Sequence, residues 1–375
     1  MKKFILFYIA CLFSSVLLAS CADKDETTEP EIPEELPYTP FAMSKGVNIS
    51  NWLSQSSVRG EQRKKNFTET EVRQLAGFGF DHLRMPVDEE QLFTENGDKI
   101  PEAFELLHNA IKWCKNANMR IIVDFHILRS HYFNGPVPEL WTNVKAQSKY
   151  LELWAKLADE LKDYPNKLVA YELLNEPVAP SASQWNTLAA QVIGKLRANE
   201  PERKLVVGSN KWQNVDTFSE LVVPGSDPNI ILSFHFYHPH LFTHYRAEWS
   251  EMKDLNVPIH YPGEIITQQD LNKLSKQEQE IVKPYLGTYN KEVLEASVQK
   301  AIKRAKELGL QLHCGEFGCY TKTPRTDRLN WLKDVITIFR DHKIAYSYWE
   351  YKAGFGFCNS SGQVTDQEVL NLLTK

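Results

Sequence analysis

The stretch Leu168-Val169-Ala170-Tyr171-Glu172-Leu173-Leu174-Asn175-Glu176-Pro177 decides how this chain is to be read. An apolar run delivers an Asn-Glu pair to a proline, which has no N–H for a ladder, so the pair is expected at a strand's C-terminal end. About 140 residues later Leu310-Gln311-Leu312-His313-Cys314-Gly315-Glu316-Phe317-Gly318 repeats the design. Here a short alternating strand ends in a glutamate bracketed by glycines, which let other groups approach closely. In a (β/α)8 barrel the chemistry sits at the C-terminal ends of several strands, so two such glutamates would face each other across one mouth. Facing carboxylates are the equipment for cleaving a glycosidic bond. A single Glu in either place would more often be a solvated, capping or ion-paired residue; the joint pattern carries the reading.

Outward from these two strands, short apolar runs alternate with amphipathic stretches from Met43 onward, the pattern of a parallel sheet covered by helices. Strands are expected at Lys45 to Ile49, His82 to Pro86, Arg120 to Phe125, Leu168 to Leu174, Lys204 to Gly208, Ile230 to Phe236, Gln311 to Gly315 and Ala345 to Trp349. Helical spacing marks 69–78, 102–117, 146–164, 183–199, 290–308 and 327–340, with a short helix near 218–222 and a last one at 367–373. The expectation is α/β: a single (β/α)8 TIM barrel over residues 42–375, with no repeat and no second domain. Its largest irregularity follows strand six. From Pro239 to about Pro284 the chain mixes polar and aromatic residues, including His240, Phe242, His244, Tyr245, Trp249 and Tyr261, which suits an ordered wall of a binding cleft. A shorter aromatic loop, His126 to Trp141, follows strand three on the same face.

Composition narrows the partners. The net charge is −5, with 43 Lys and Arg against 48 Asp and Glu, so no basic field for nucleic acid exists. Fifteen Tyr and nine Trp suit a polysaccharide or oligosaccharide partner, because flat rings offer apolar faces to sugars. A monomer is expected. Residues 1–20 read as a secretory signal, with Lys2 and Lys3 before the apolar run Phe4 to Leu18. Leu17-Leu18-Ala19-Ser20-Cys21 resembles a bacterial lipobox, which implies a lipid anchor at Cys21; ordinary cleavage and free secretion is the alternative. Residues 21–41 are acidic and proline-rich and should form an extended linker. The acidic patch after Cys21 resembles the export signal of surface lipoproteins in the Bacteroidetes. The expected address is the cell envelope, lipid-anchored to the outer membrane and either surface-exposed or periplasmic. Cys114, Cys314, Cys319 and Cys358 show no zinc spacing and are expected as buried thiols, with a Cys319–Cys358 bridge as the lesser option.

Taken with their motifs, these residues resemble the retaining glycoside hydrolases of clan A, most closely family five. That family carries its acid/base in an Asn-Glu-Pro motif and its nucleophile at the end of a later strand. The resemblance runs from Met43 to the C-terminus and implies Glu176 as acid/base and Glu316 as nucleophile. It further implies that Arg84, in Leu83-Arg84-Met85-Pro86, keeps the nucleophile ionised, and that Tyr237 donates to it while His235 lies near the acid/base. Spacing independently puts His235 and Tyr237 on one face of a strand. By resemblance His126 contacts the sugar beside the scissile bond, Asn175 binds its 2-hydroxyl, and Trp349 forms the sugar floor. Asn48, Trp52, Trp141, Trp212, Trp249, Glu350 and Lys352 are further candidates to line subsites, each equally readable as packing. No cofactor and no metal are expected, since no ligand spacing or phosphate loop occurs. The expected substrate is a β-1,4-glucan, with mannan, xyloglucan and β-1,3-glucan as alternatives. A non-catalytic glycan-binding surface lipoprotein is the rival of another class, although binding alone needs neither opposed glutamate. An esterase or lipase would need a Gly-x-Ser-x-Gly elbow, which is missing.

Overall fold

Eight parallel strands close into a barrel: β1 (Lys45–Asn48), β2 (His82–Val87), β3 (Arg120–Phe125), β4 (Val169–Glu172), β5 (Lys204–Gly208), β6 (Ile230–Phe236), β7 (Gln311–Phe317) and β8 (Ala345–Tyr348). Each strand pairs with its sequence neighbours, and β8 returns to β1. The protein is seen in a computed structural model that describes residues 41–375; the expected signal peptide, Cys21 and nearly all of the linker lie outside the described residues.

Strand alternation sorts the side chains into two cores. Outward-facing Leu83, Val123, Tyr171, Val207, Phe234 and Cys314 join the apolar faces of the helices in one large buried cluster. Inward-facing Ile122, Ala170, Val206, Ile231 and Ala345 form a separate cluster that Phe41 and Met43 close at the N-terminal end. Phe41 is pinned there by a reciprocal pair of hydrogen bonds with the Gln311 side chain, at 3.1 and 3.0 Å. Apolar residues therefore fill the lower part of the barrel on one side, and polar ones gather above, where chemistry can be done.

The main helices run 69–78, 101–116, 144–161, 182–197, 291–308, 325–341 and 367–374. Their ends follow local chemistry. Thr68 and Glu71 form a capping box at the start of the first, and Gly79, at φ 104°, ends it in the left-handed conformation that a side chain would oppose.

Several boundaries differ from those expected. The expected helix near 218–222 is a 3-10 turn at Val215–Glu220. β2 continues to Val87, so Arg84 lies within the strand and points into the barrel rather than ending it. β4 stops at Glu172, leaving Asn175 and Glu176 in the loop beyond; Glu176 has φ 45°, which strand geometry does not permit. β7 runs through Glu316 to Phe317, and a register irregularity between Phe234 and His235 sets Glu316 opposite His235. Trp349 follows the last residue of β8. The long connection after β6 is ordered, holding an antiparallel pair, Gly263–Glu264 with Thr288–Tyr289, and short helices at 268–271 and 276–282. Cys114, Cys314, Cys319 and Cys358 are buried free thiols, so the Cys319–Cys358 bridge is not formed. Among the described residues no helix is long and apolar enough to cross a membrane.

Candidate active site

Arg84 is the hub of the barrel mouth. Fully buried, it reaches Glu316 Oε1 through Nη1 at 2.7 Å and forks onto Glu172 through Nε and Nη2 at 2.7 and 3.1 Å. It also donates to Asn48 Oδ1 at 3.0 Å and Asn175 Oδ1 at 2.8 Å, and its Nη2 lies 3.0 Å from Asp124 Oδ2. Burial alone would oppose the guanidinium charge, but Asp124, Glu172 and Glu316 together hold it firmly protonated. One cation cannot satisfy three buried carboxylates. Burial accordingly pushes Asp124 up to about 7 despite Arg84, and its carboxyl makes a 2.7 Å hydrogen bond with Nδ1 of the His126 ring, an imidazole that burial pushes down to about 4.

The two glutamates of the motifs meet beside this hub. An oxygen of each, together with a ring nitrogen of His235, lie within 4.8 Å of one another. Their surroundings are unequal. Both Glu316 oxygens accept hydrogen bonds, from Arg84 and from Tyr237 Oη at 3.0 Å. Glu176 has one side-chain contact, His235 Nδ1 at 2.9 Å, and burial keeps that imidazole neutral. Burial and then repulsion from Glu316 push the Glu176 carboxyl far up, whereas the rise that burial gives Glu316 is opposed by Arg84 and Tyr237. The proton belongs on Glu176 and the charge on Glu316.

The description of Cellulase (glycosyl hydrolase family 5) matches residues 42–354. The chain belongs to glycosyl hydrolase family 5. It is a glycoside hydrolase, similar to Endoglucanase C of Acetivibrio thermocellus, at 28% identity over 338 residues covering 88% of this chain and 97% of that protein. Cellodextrinase A of Ruminococcus flavefaciens is 26% identical over 88% of this chain and 93% of its own length. Among solved structures, a hyperthermophilic endo-β-1,4-glucanase in complex with substrate superposes with TM-score 0.72 at 24% identity, covering 89% of this chain and 97% of the other.

The remaining candidates of this family 5 enzyme separate into those at the mouth and those elsewhere. Trp349 lies parallel to the His126 ring, with centroids 5.8 Å apart, and packs with Tyr237 against Tyr320 and Phe355. Asn175 accepts from Arg84 and leaves its Nδ2 without a protein partner. Asn48, the last residue of β1, ties its strand to three others, donating to the carbonyls of Gly315 and Ser347 while accepting from Arg84. Trp212 and Trp249 are exposed, at 47% and 61%, whereas Trp52 and Trp141 are core residues. Glu350 is buried against Ser50, and Lys352 pairs with Glu71.

Asp124, Glu172 and Gln213 are the supporting residues that sequence reasoning missed. Gln213 donates to Glu172 Oε1 at 3.2 Å and accepts from the Glu176 amide at 3.0 Å, fixing the loop that carries Glu176. It gets there because Lys211, Trp212 and Gln213 all take left-handed backbone angles and because Gly208 leaves room; a Cβ on Gly208 would fall 2.3 Å from Gln213. Such strain is retained where neighbouring structure enforces it. Asp124 and Glu172 did leave a signal. Each is a carboxylate interrupting an apolar strand in phase with its inward-facing residues.

Among the described residues Glu176, His235 and Glu316 are also the group whose ligand atoms converge closely enough to touch a metal ion. An ion there would have to displace Arg84 and Tyr237 from Glu316, so the donor set does not suit one.

Proposed function

We propose that the protein is a retaining β-glycosidase of β-1,4-glucan in which Glu176 is the acid/base and Glu316 the nucleophile. The observation that carries this is the unequal hydrogen bonding of two buried carboxylates that have an oxygen each within 4.8 Å of the other. Retaining enzymes keep the pair about 5–5.5 Å apart, whereas inverting ones need roughly 6.5–9.5 Å to admit a water between.

In the first step Glu316 attacks the anomeric carbon from one face while Glu176 gives its proton to the departing glycosidic oxygen. Glu316 is consumed in an ester, its charge vanishes, and the main electrostatic reason for Glu176 to stay protonated weakens. The ionised Glu176 then removes a proton from water as it attacks the same carbon, and Glu316 is released. Arg84 and Tyr237 stabilise the returning carboxylate. Asn175 Nδ2 supplies a donor for the sugar 2-hydroxyl, a contact that tightens as oxocarbenium character develops. His126 and Trp349 hold the ring of that sugar.

The names of the relatives, endoglucanase and cellodextrinase, support β-1,4-glucan as substrate. Reducing-end release from carboxymethylcellulose, mannan, xyloglucan and β-1,3-glucan tests this. Highest turnover on the cellulose derivative is expected, and activity confined to any of the other three would overturn the substrate assignment. The lipobox-like segment ending at Cys21, followed by the acidic linker, supports a second proposal, that the enzyme works tethered to the cell envelope by a lipid.

A further inference from the structure

The chemistry above leaves unused a column of polar groups inside the barrel, between the glutamates and the N-terminal face. His82, Ser233, His313 and Ser347 are all fully buried and all lie in phase with the inward-facing residues of their strands. Barrel interiors are ordinarily filled by Val, Ile and Leu, and an unpaired buried polar group is costly. Two glycines make room for the column. A Cβ on Gly46 would lie 2.2 Å from His82 Nε2, and one on Gly315 would lie 2.9 Å from Ser233 Oγ and 3.2 Å from His235 Nε2.

The contacts run in sequence from one end of the barrel to the other. Asp81 Oδ1 meets His82 Nδ1 at 2.7 Å, His82 Nε2 meets Ser347 Oγ at 2.9 Å, and Ser347 Oγ meets His313 Nε2 at 3.0 Å. His313 and Ser233 are register partners on adjacent strands, and Ser233 borders the same hollow at Gly315 as His235. At that hollow the buried Ser233 Oγ and His235 Nε2 have no hydrogen-bond partner, and neither has Nδ1 of the neighbouring His313. The other nitrogen of His235 is the one that touches Glu176. At the far end the Asp81 side chain is one-third exposed, so the column opens to solvent on the face opposite the cleft.

We propose that this column is a proton path that connects Glu176 to Asp81, joined at Gly315 by the Ser233 hydroxyl or one bridging water. It rests on Glu176 being the acid/base. The path lets that residue exchange its proton with the N-terminal face while polysaccharide fills the mouth.

With the gap at Gly315 bridged, two arrangements of the column's hydrogen bonds are complete, and they differ by the position of one proton. With Glu176 protonated and His82 neutral, Glu176 donates to His235 Nδ1, His235 Nε2–H to Ser233, and Ser233 to His313 Nδ1. His313 Nε2–H then donates to Ser347, Ser347 to His82 Nε2, and His82 Nδ1–H to Asp81. Shifting one proton along every bond as far as His82, with the His82–Asp81 bond unchanged, leaves Glu176 as a carboxylate and His82 as an imidazolium between Asp81 and Ser347; His235 and His313 now carry their hydrogens on Nδ1. No oxidant or other reactant is needed. Burial favours the neutral form of Asp81, but the hydrogen bond and charge of His82 and the amides of Ser44 and Lys45 hold it below its ordinary value, ready to receive that imidazolium. The other groups facing the path are Arg84, His126 and Glu316 beside His235, Asp124 and Glu172 behind Arg84, and Tyr346 near Asp81.

Histidine tautomers read the path directly. The full chain, labelled with ¹⁵N-histidine, is titrated while long-range ¹H–¹⁵N spectra follow its imidazoles. In the wild type His313 should switch from Nε2–H to Nδ1–H at the same pH at which Glu176 ionises. Glu176→Gln should abolish the switch, and Ser347→Ala should uncouple His82 from it while His235 still responds; Ser233→Ala serves if Ser347→Ala does not fold. A His313 tautomer that stays constant through the Glu176 titration, or a switch that persists in Glu176→Gln, overturns the path. Retention of hydrolysis by Glu176→Gln would instead overturn the acid/base assignment, so the two failures are distinct.

Discussion

Replacing Arg84 by alanine removes the guanidinium that, alone among the described residues, reaches Asp124, Glu172 and Glu316, at 3.0, 2.7 and 2.7 Å. Two consequences have separable magnitudes. Stripping one partner from a buried ion pair costs about 3–5 kcal/mol of stability, because the remaining charges stay desolvated. A neighbouring guanidinium lowers a carboxyl pKa by about 1–3 units, and each unit is about 1.36 kcal/mol. Glu316 already sits high because of burial, with Arg84 the largest opposing influence. In the proposed mechanism it must be ionised to attack, so raising its pKa should move the acid limb of kcat/KM upward by about 1–3 pH units and lower the rate at any pH below it. Arg84→Lys restores a charge but not the fork onto Glu172 or the bonds to Asn175 and Asn48, so it should recover part of the limb and little of the plateau. The assay is kcat/KM on cellotetraose against pH, with thermal melts to establish folding. If both variants fold and keep wild-type limbs and plateaus, Arg84 has no part in ionising the nucleophile and the argument from the hub is refuted.

Glu176→Gln should lose about 10²–10⁴ in activity on oligosaccharides while becoming more heat-stable at pH 8 than the wild type. The sign follows from its raised pKa: the stability Glu176 contributes is complete below the unfolded value and is lost as pH rises through the folded one, a loss that glutamine does not suffer. Melts that show equal or lower stability at pH 8, or a gap that persists at pH 4, would contradict this. Glu316→Gly should be inactive on ordinary substrates and partly rescued by azide, giving an α-glycosyl azide; recovery of only the β product would mean that no covalent step passes through Glu316. Cys21→Ser should move the protein from membrane to soluble fractions with unchanged turnover of soluble oligosaccharide, and unaltered membrane association would remove the anchor proposal.

The fold was legible because a parallel barrel writes the same two periods again and again. β3, β5 and β6 begin and end where apolar patterning placed them, since turn chemistry and burial agree there. Boundaries failed where function bends the backbone. β4 stops short because the Asn175–Glu176 loop is shaped by Gln213, and β7 runs on because an irregular register brings Glu316 opposite His235. Neither deviation has a local signature. Arg84, Asn175, Glu176, His235, Tyr237 and Glu316 are linked by hydrogen bonds at the mouth, and the support that went unseen came from positions whose meaning depends on inward direction: the roles of Asp124 and Glu172 show only once β2, β3 and β4 are closed around Arg84. Trp52 and Trp141 show the reverse, since aromatic identity alone did not separate a sugar platform from core packing.

The claim at the centre of this account is that Glu316 becomes covalently bonded to the sugar. Incubation with 2,4-dinitrophenyl 2-deoxy-2-fluoro-β-cellobioside, in which the fluorine slows both steps and the activated leaving group rescues the first, should inactivate the enzyme with release of one dinitrophenolate per chain. Peptide mass spectrometry should then find the added disaccharide on Glu316, in the peptide that carries Cys314-Gly315-Glu316-Phe317. A label on Glu176, Glu172 or Glu350, or dinitrophenolate release with no labelled peptide, would contradict the assignment.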